Sequence, residues 1–370
     1  MSSVIVQVVQ HLRPGGIETM ALDLLPHYQD KGDAHIVSLD GNACEAIDHW
    51  PRLLAYDHQL HFLEKPLGIH LATVYRLARL FKSVGATAVH SHHIGPLFYT
   101  GLAAKIAGIK VHVHTEHDAW HLDEPKDKQL QQWLLKLFNP LLVADCQAVA
   151  DHLIKHIPDA QPKVILNGID TERFAPASTA QQLKSRLKFN LPTQIPLIGC
   201  AARLETVKGH RYLLEALSLL ENQEAGLVLA GGGRLRAELE QLADQLGIRD
   251  RIYFLGAIDD MVSFYHAIDI FCLPSLNEGL PLSPLEAQSC GRPAVVSNVG
   301  GCGSIVCPSS GALVPPGESA TLAAALNQVL QRSNHSSPRH FVKLTGDLNK
   351  TAHGYLKLLQ PRHSEESVCY

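Results

Sequence analysis

Short apolar runs alternate with longer stretches of helical period along almost the whole chain, and few architectures satisfy that alternation. A strand, a helix and another strand in succession build a parallel sheet, because the crossover helix returns the chain to the same edge. Two such series are present. The first predicts strands near 4–9, 34–39, 87–91, 111–115, 141–144 and 163–166, and the second near 196–201, 226–230, 251–255, 269–273, 293–297 and 312–314. Both read as buried strands, which parallel sheets covered on two faces require. Between strands the periodicity is helical: over Leu71–Lys82 the residues Leu71, Val74, Leu77, Ala78 and Phe81 share one face.

A chain of 370 residues exceeds one ordinary core and suits two domains. Between the two series lie the turn signal Asn167-Gly168-Ile169-Asp170, then Phe174, then a polar stretch from Pro176 to Gln182. A turn followed by a compositional shift marks an interdomain connection. The expected domains are therefore residues 1–168 and 169–338, with a helical segment over about 339–370 packing back on the first. A polar patch separates that segment at Ser333–Pro338. In open parallel sheets ligands bind at the carboxyl ends of the strands, so the expected site is a cleft between two such sheets.

Composition excludes several classes. The formal net charge is -4, from 32 basic and 36 acidic residues, so no broad positive field exists for nucleic acid. Eight cysteines are scattered without a C-x-x-C pair, and they read as reduced thiols of a cytosolic protein rather than a disulfide or zinc framework. The opening Val4–Val9 lacks a basic flank and a cleavage site, so it reads as a first strand and not a signal peptide. No apolar stretch has the roughly 18 residues of a membrane span. Arg76, Arg79 and Lys82, with Leu80 and Phe81 nearby, raise peripheral contact with anionic lipid, although a solvated basic face is the better reading, since residues 1–170 carry 14 basic and 18 acidic residues.

The candidate chemistry sits after strands. Pro274–Glu286 follows a strand and contains a glycine turn, with a helix start expected near Pro281 whose free amides favour an anion. Glu278 and Glu286 stand eight residues apart, one on the loop and one on the helix, and accept hydroxyl hydrogen bonds from two sides. On spacing alone they read as ordinary surface carboxylates. Arg203 and Lys208 follow another strand and flank a helix start, where two cations hold a diphosphate. Gly231-Gly232-Gly233 lacks the G-x-G-x-x-G spacing of a dinucleotide loop and reads as a tight turn with close backbone approach. Gly15 and Gly16 open the first helix in the same manner.

These segments together resemble the family 4 retaining glycosyltransferases. Glu278-Gly279-Leu280-Pro281-Leu282 through Glu286 is similar to that family's E-x7-E signature. Ala201–Gly209 resembles its Arg/Lys diphosphate stretch, and Ala230–Leu235 its glycine turn. Pro14-Gly15-Gly16-Ile17-Glu18 resembles its first glycine loop, and Asn167–Asp170 with Phe174 its hinge. The resemblance covers about residues 4–330 and implies a GT-B architecture: an α/β protein of two doubly wound Rossmann-like domains facing a cleft, with the C-terminal helix returning to the first. It implies donor-binding roles for Gly15, Gly16, Gly232, Gly233, Gly279, Leu280, Pro281, Leu282 and Glu286, and catalytic roles for Arg203, Lys208 and Glu278. One departure stands out. Where the family carries a glutamate after its Gly-Gly turn, this chain reads Gly300-Gly301-Cys302-Gly303-Ser304.

Histidine concentrates in His90-Ser91-His92-His93 and in His112–Asp118, at the ends of predicted strands. Alternation places His112 and His114 on one face, which raises a metal site, but no third ligand or carboxylate support is identifiable. The resemblance carries the family's active-site histidine onto His117, with Asp118 orienting it. His92, His93 and Asp118 are expected on the acceptor side. No D-x-D triplet occurs, so the expectation is no metal and no cofactor, with Arg203, Lys208 and helix N-termini neutralising the diphosphate.

The resulting expectation is a metal-independent retaining transferase, moving a sugar from a nucleotide-diphosphate donor to a glycan or lipid-linked acceptor in cell-surface polysaccharide or glycolipid synthesis. It is cytoplasmic, at most peripheral at the inner face of a membrane. Hinge closure about residues 168–185 would exclude water. The rivals are a nucleotide-sugar epimerase of similar architecture and a non-catalytic nucleotide-sugar binding protein. A Rossmann oxidoreductase is disfavoured by the missing fingerprint. Donor base and sugar, acceptor, and oligomeric state are not readable in the sequence.

Overall fold

The computed structural model describes residues 3–30, 32–118, 120–332 and 338–360. They form two compact units, one comprising the described residues up to Asn167 together with those from Leu348, the other Gly168–Asp347.

The first unit holds strands β1 (Ser3–Val9), β2 (Gly32–Ser38), β3 (Leu60–Phe62), β4 (Ala88–His92), β5 (Val111–Glu116), β6 (Leu141–Ala144) and β7 (Lys163–Val164). They form one parallel sheet in the order β3-β2-β1-β4-β5-β6-β7. Its order reverses between β1 and β4, so the loops after those strands diverge to opposite faces and leave a crevice at the sheet's carboxyl edge. Helices α1 (Gly16–Gln29), α2 (Ala43–His49), α3 (Leu71–Ser83), α4 (Ile94–Ala107), α5 (Pro125–Phe138) and α6 (Gln147–His156) connect the strands. The core under α3 takes Val74, Leu77, Ala78 and Phe81, as the periodicity predicts, but Leu71 points to solvent. Fully burying a large apolar side chain is worth about 1.5–3 kcal/mol, so this one face fixes where the helix lies. β3 was not foreseen; three residues containing His61, after a 3-10 stretch Pro51–Gln59, offer no periodicity to read.

The second unit contains α7 (Thr179–Lys188), β8 (Leu197–Ala201), α8 (His210–Ser218), β9 (Gly226–Ala230), α9 (Arg236–Gln245), β10 (Ile252–Gly256), α10 (Met261–Ala267) and β11 (Ile270–Leu273). It continues with α11 (Ser283–Ser289), β12 (Ala294–Ser297), α12 (Cys302–Ile305), β13 (Ala312–Val314), α13 (Ser319–Gln331) and α14 (Pro338–Thr345). The sheet is parallel in the order β10-β9-β8-β11-β12-β13, reversing between β8 and β11.

The end of the chain divides differently from the expectation. α14 belongs to the second unit, where Arg339 donates to the carbonyls of Thr171 and Phe174, each at 2.8 Å. Among the described residues the return to the first unit is made by α15 (Leu348–Leu359), so the residues 339–347 expected there lie with the second. Burial of Leu348, Ala352, Tyr355 and Leu359 holds α15 in place, and Tyr355 accepts from the Thr115 hydroxyl at 3.1 Å. The expected segment beyond 360, and most of the polar patch at 333–338, lie outside the described residues. So does Cys369, and among the described residues no disulfide joins the other seven cysteines. Among the described residues no helix is long and apolar enough to cross a membrane.

Candidate active site

In the second unit the loops after β8 and β11 flank the switch point, and they carry the residues that the sequence singled out. Lys208 ends a 3-10 turn, Thr206–Lys208, and its ammonium donates to Glu278 Oε1 at 2.6 Å, across 70 residues of sequence. The Ser275 hydroxyl donates to the same oxygen at 2.6 Å, and the Leu276 amide to the Val207 carbonyl at 2.8 Å. Both loops are thereby fixed to each other. The ammonium has three hydrogens, so holding Glu278 leaves two for another acceptor. Arg203 is exposed on the loop after β8.

Glycine geometry shapes the rest. Gly300, at φ +52, lets the backbone pass so close that a Cβ there would lie 1.7 Å from the Glu278 carbonyl oxygen. In the glycine run, Cβ atoms on Gly231 and Gly233 would meet the carbonyl oxygens of Ala202 at 2.1 Å and Leu204 at 2.5 Å, whereas one on Gly232 meets nothing within 4 Å. The run therefore joins the loops after β9 and β8, with Gly232 facing open space.

Glu286 is buried, and its Oε2 accepts from the Tyr265 hydroxyl at 2.6 Å. Burial first, and the adjacent carboxylate second, push the Tyr265 pKa well up, so the phenol stays a donor. The helix carrying Glu286 begins at Ser283, close to the start expected near Pro281: Leu282 is its N-cap residue and Pro284 stands in the first turn, a position where proline is well tolerated. Leu280 and Leu282 are buried beside Gly279. Ser304, where a glutamate was expected, is exposed and donates to the Gly301 carbonyl at 2.7 Å.

In the first unit the histidine runs lie mainly within strands. His90, His92, His112 and His114 are buried side chains of β4 and β5; only His93, His117 and Asp118 stand past the strand ends. The proposed face shared by His112 and His114 exists, but both rings bond the Ser91 hydroxyl, at 2.8 and 3.0 Å. His114 then bonds Glu116 Oε1 at 2.8 Å, an oxygen that also accepts from Gln131. Burial would raise the Glu116 pKa, yet its pairing with His114 holds it below the usual carboxylate range.

His117 is ringed by residues of this unit. Asn167 Nδ2 donates to its Nδ1 at 3.2 Å and to Asp145 Oδ2 at 3.2 Å, while Nε2 of His117 meets Nδ1 of His92 at 3.0 Å. With the amide donating to Nδ1, the ring proton sits on Nε2 and is directed at His92. Desolvation lowers the His117 pKa to about 4, so the ring is neutral. His93, at the unusual φ of +67, caps α4 and brings its ring edge-on to His117 at 5.7 Å between centroids. Its Nε2 lies 4.0 Å from Asp118, which also faces His121 at 3.5 Å. Thus His92, His93, His117 and Asp118 come together. Asp145, Asn167 and His121 join them without having been singled out as partners of His117; Asn167 was noted only as a turn residue.

The loop after β1 carries Gly15 and Gly16. A Cβ on Gly15 would lie 2.3 Å from Glu18 Oε2, while Gly16 has open space. A pocket of about 150 Å³ adjoins this loop, lined among others by His11, Arg13, Asp40 and Glu45.

The model described as Glycosyltransferase Family 4 matches residues 14–173, and that described as Glycosyl transferases group 1 matches 181–343, one on each unit. The chain belongs to the family 4 glycosyltransferases. It is 28% identical over 309 residues to the Bacillus subtilis protein EpsF, named as a glycosyltransferase, covering 80% of this chain and 79% of that one. To the Escherichia coli UDP-Gal:alpha-D-GlcNAc-diphosphoundecaprenol alpha-1,3-galactosyltransferase it is 30% identical over 248 residues, 64% of each chain. To the D-inositol 3-phosphate glycosyltransferase of Saccharomonospora viridis it is 36% identical, over 52% of this chain and 47% of that one. The chain thus spans less than two thirds of the length of the last two. The crystal structure of Anabaena Alr3699/HepE in complex with UDP and glucose superposes with a TM-score of 0.84 at 22% identity, over 96% of this chain and 99% of that one. That of WaaG, a glycosyltransferase involved in lipopolysaccharide biosynthesis, does so at 0.71 and 16%, over 96% of this chain and 99% of that one. At such identities the likeness speaks for the fold, and the fold is GT-B.

Proposed function

We propose that this glycosyltransferase moves a sugar from a nucleoside-diphosphate sugar to a hydroxyl of a glycan or lipid-linked acceptor, with retention at the anomeric carbon. The second unit takes the donor and the first the acceptor. The observation that carries this reading is the Lys208–Glu278 pair at 2.6 Å, which gathers a cation and a hydroxyl acceptor at the switch point of one sheet. Lys208 keeps Glu278 and offers its remaining hydrogens to the diphosphate, with Arg203, exposed on the loop after β8, as the second cation. As the bond from anomeric carbon to phosphate oxygen breaks, negative charge grows on the diphosphate, and both cations stabilise that state more than the ground state. The acceptor oxygen bonds to the same face of the anomeric carbon while its proton passes to the departing phosphate. No metal is required in this scheme, because Arg203 and Lys208 supply the positive charge. The role that the resemblance gives His117, a hydrogen bond to the donor sugar, requires its Nε2 proton to turn away from His92; His92, His93 and Asp118, with the pocket near Gly16, serve the acceptor side.

The test is thermal stabilisation of the protein by UDP, GDP, ADP, CMP and NAD in EDTA, repeated on Glu286→Ala and Lys208→Ala. A native-state ligand raises the melting temperature according to its affinity and concentration. Stabilisation by one nucleoside diphosphate that both substitutions abolish is the expected result; a shift from NAD alone overturns the reading. Retention is checked by NMR of the product anomer, and inversion overturns it.

The acceptor class bears on location. Leu67, Ile69, Leu71 and Tyr75 are 97%, 75%, 61% and 67% exposed beside Arg76, Arg79 and Lys82, whereas Phe81, considered above for lipid contact, is buried. Apolar side chains next to cations suit an anionic bilayer surface, which supports peripheral association from the cytoplasmic side. Sedimentation with anionic vesicles, lost in Leu67→Ser with Ile69→Ser, is the expected outcome; equal sedimentation of the variant overturns it.

A further inference from the structure

The first unit carries a second group of ligating side chains that sugar transfer does not use. His152 and His156 stand one turn apart on α6, so the i and i+4 spacing directs both imidazoles from one face. Their rings stack with centroids 4.6 Å apart. Opposite them, Asp123 ends the 3-10 turn Trp120–Asp123. Its Oδ1 lies 3.3 Å from Nε2 of His152 and 3.2 Å from Nε2 of His156, and ligand atoms of all three residues lie within 4.8 Å of one another.

Both Nε2 atoms are shielded from solvent, and neither has a hydrogen-bond partner among the described residues. The separations fit a different geometry. Zinc bonds of about 2.0–2.1 Å to imidazole nitrogen and carboxylate oxygen put tetrahedral ligands about 3.4 Å apart.

We propose that Asp123, His152 and His156 form a three-ligand site for a divalent cation of the zinc class, with solvent completing the coordination. Two imidazoles and one carboxylate select such ions over the hard cations magnesium and calcium, which prefer all-oxygen shells. The site ties the turn that follows His117 and Asp118 to α6. Its role is to fasten that turn; it takes no part in transfer.

The experiment is zinc titration of the untagged full-length protein, stripped with EDTA and dialysed, in competition with a chromophoric chelator. One equivalent bound by the wild type is expected, with affinity falling on the order of tenfold or more in His152→Ala and in His156→Gln. Zinc should raise the melting temperature of the wild type and leave those of the variants unchanged, all three melting alike in EDTA. Failure of the wild type to take up zinc overturns the proposal. Equal uptake by the variants also overturns it, since the metal then sits on other histidines. Magnesium competing equally with zinc does so too.

Discussion

Lys208 shows what a single side chain decides here. Replacing it with alanine leaves Glu278 with only the Ser275 hydroxyl among its described side-chain partners and removes charge from the diphosphate position. We expect kcat/KM to fall by about 10²–10³, the range for removing one preorganised electrostatic group, with Lys208→Arg recovering only part; unchanged steady-state kinetics in Lys208→Ala would refute the role. Asn167 acts through another residue. Asn167→Leu removes the donor that fixes the His117 tautomer, so kcat should drop roughly tenfold or more with KM little altered, and the acid limb of the pH–rate profile should shift. A parallel change in kcat and KM, with no shift in that profile, would show a merely structural role. Lys208, Glu278 and Glu286 drew notice through the family resemblance, since on spacing alone the two glutamates read as surface carboxylates; the structure buries both glutamates and pairs Lys208 with Glu278. Asp145 and the Asn167 contact were not legible, because they reach His117 across 28 and 50 residues and only the sheet order brings them together.

Among the elements, most strands were legible as short β-branched and apolar runs bounded by turn residues, even though β4 and β5 carry the buried histidines. What failed did so for local reasons. Leu71 continues the apolar face of α3 in sequence but is the first residue of that helix and is exposed, and β3 spans only three residues, too few to show a period. The glycines offer a sharper contrast. Gly300→Ala places a Cβ against the Glu278 carbonyl at a φ that side chains avoid, so it should cost about 1 kcal/mol or more and weaken nucleotide binding with it. Gly232→Ala meets no atom within 4 Å and should leave the melting temperature near that of the wild type. If Gly232 faces the donor, the alanine variant still loses nucleotide-induced stabilisation; unaltered stabilisation would remove Gly232 from the donor site.

For the molecule as a whole, the buried histidines link folding to pH. His117 titrates at about 4 and His112 at about 3 in the fold, against about 6.5 when unfolded. Within that interval the unfolded chain binds more protons, so stability is complete above about pH 6.5 and declines on acidification, by up to about 1.4 kcal/mol per pH unit for each ring kept neutral. Melting temperatures measured from pH 7 to pH 5 should fall steadily; a flat profile would mean that the rings are protonated in place. The two-unit division was legible from the paired strand series and the Asn167–Asp170 turn, but the return point was not, because α14 and α15 share a helical period and differ only in what covers them. That return has a consequence for biosynthesis. Tyr355 and its neighbours on α15 leave the ribosome after the entire second unit, so the second unit can close as it is made while the first waits with part of its core uncovered. The half of the protein translated first is thus the half completed last, and its exposed apolar surface is the natural target for a chaperone during synthesis.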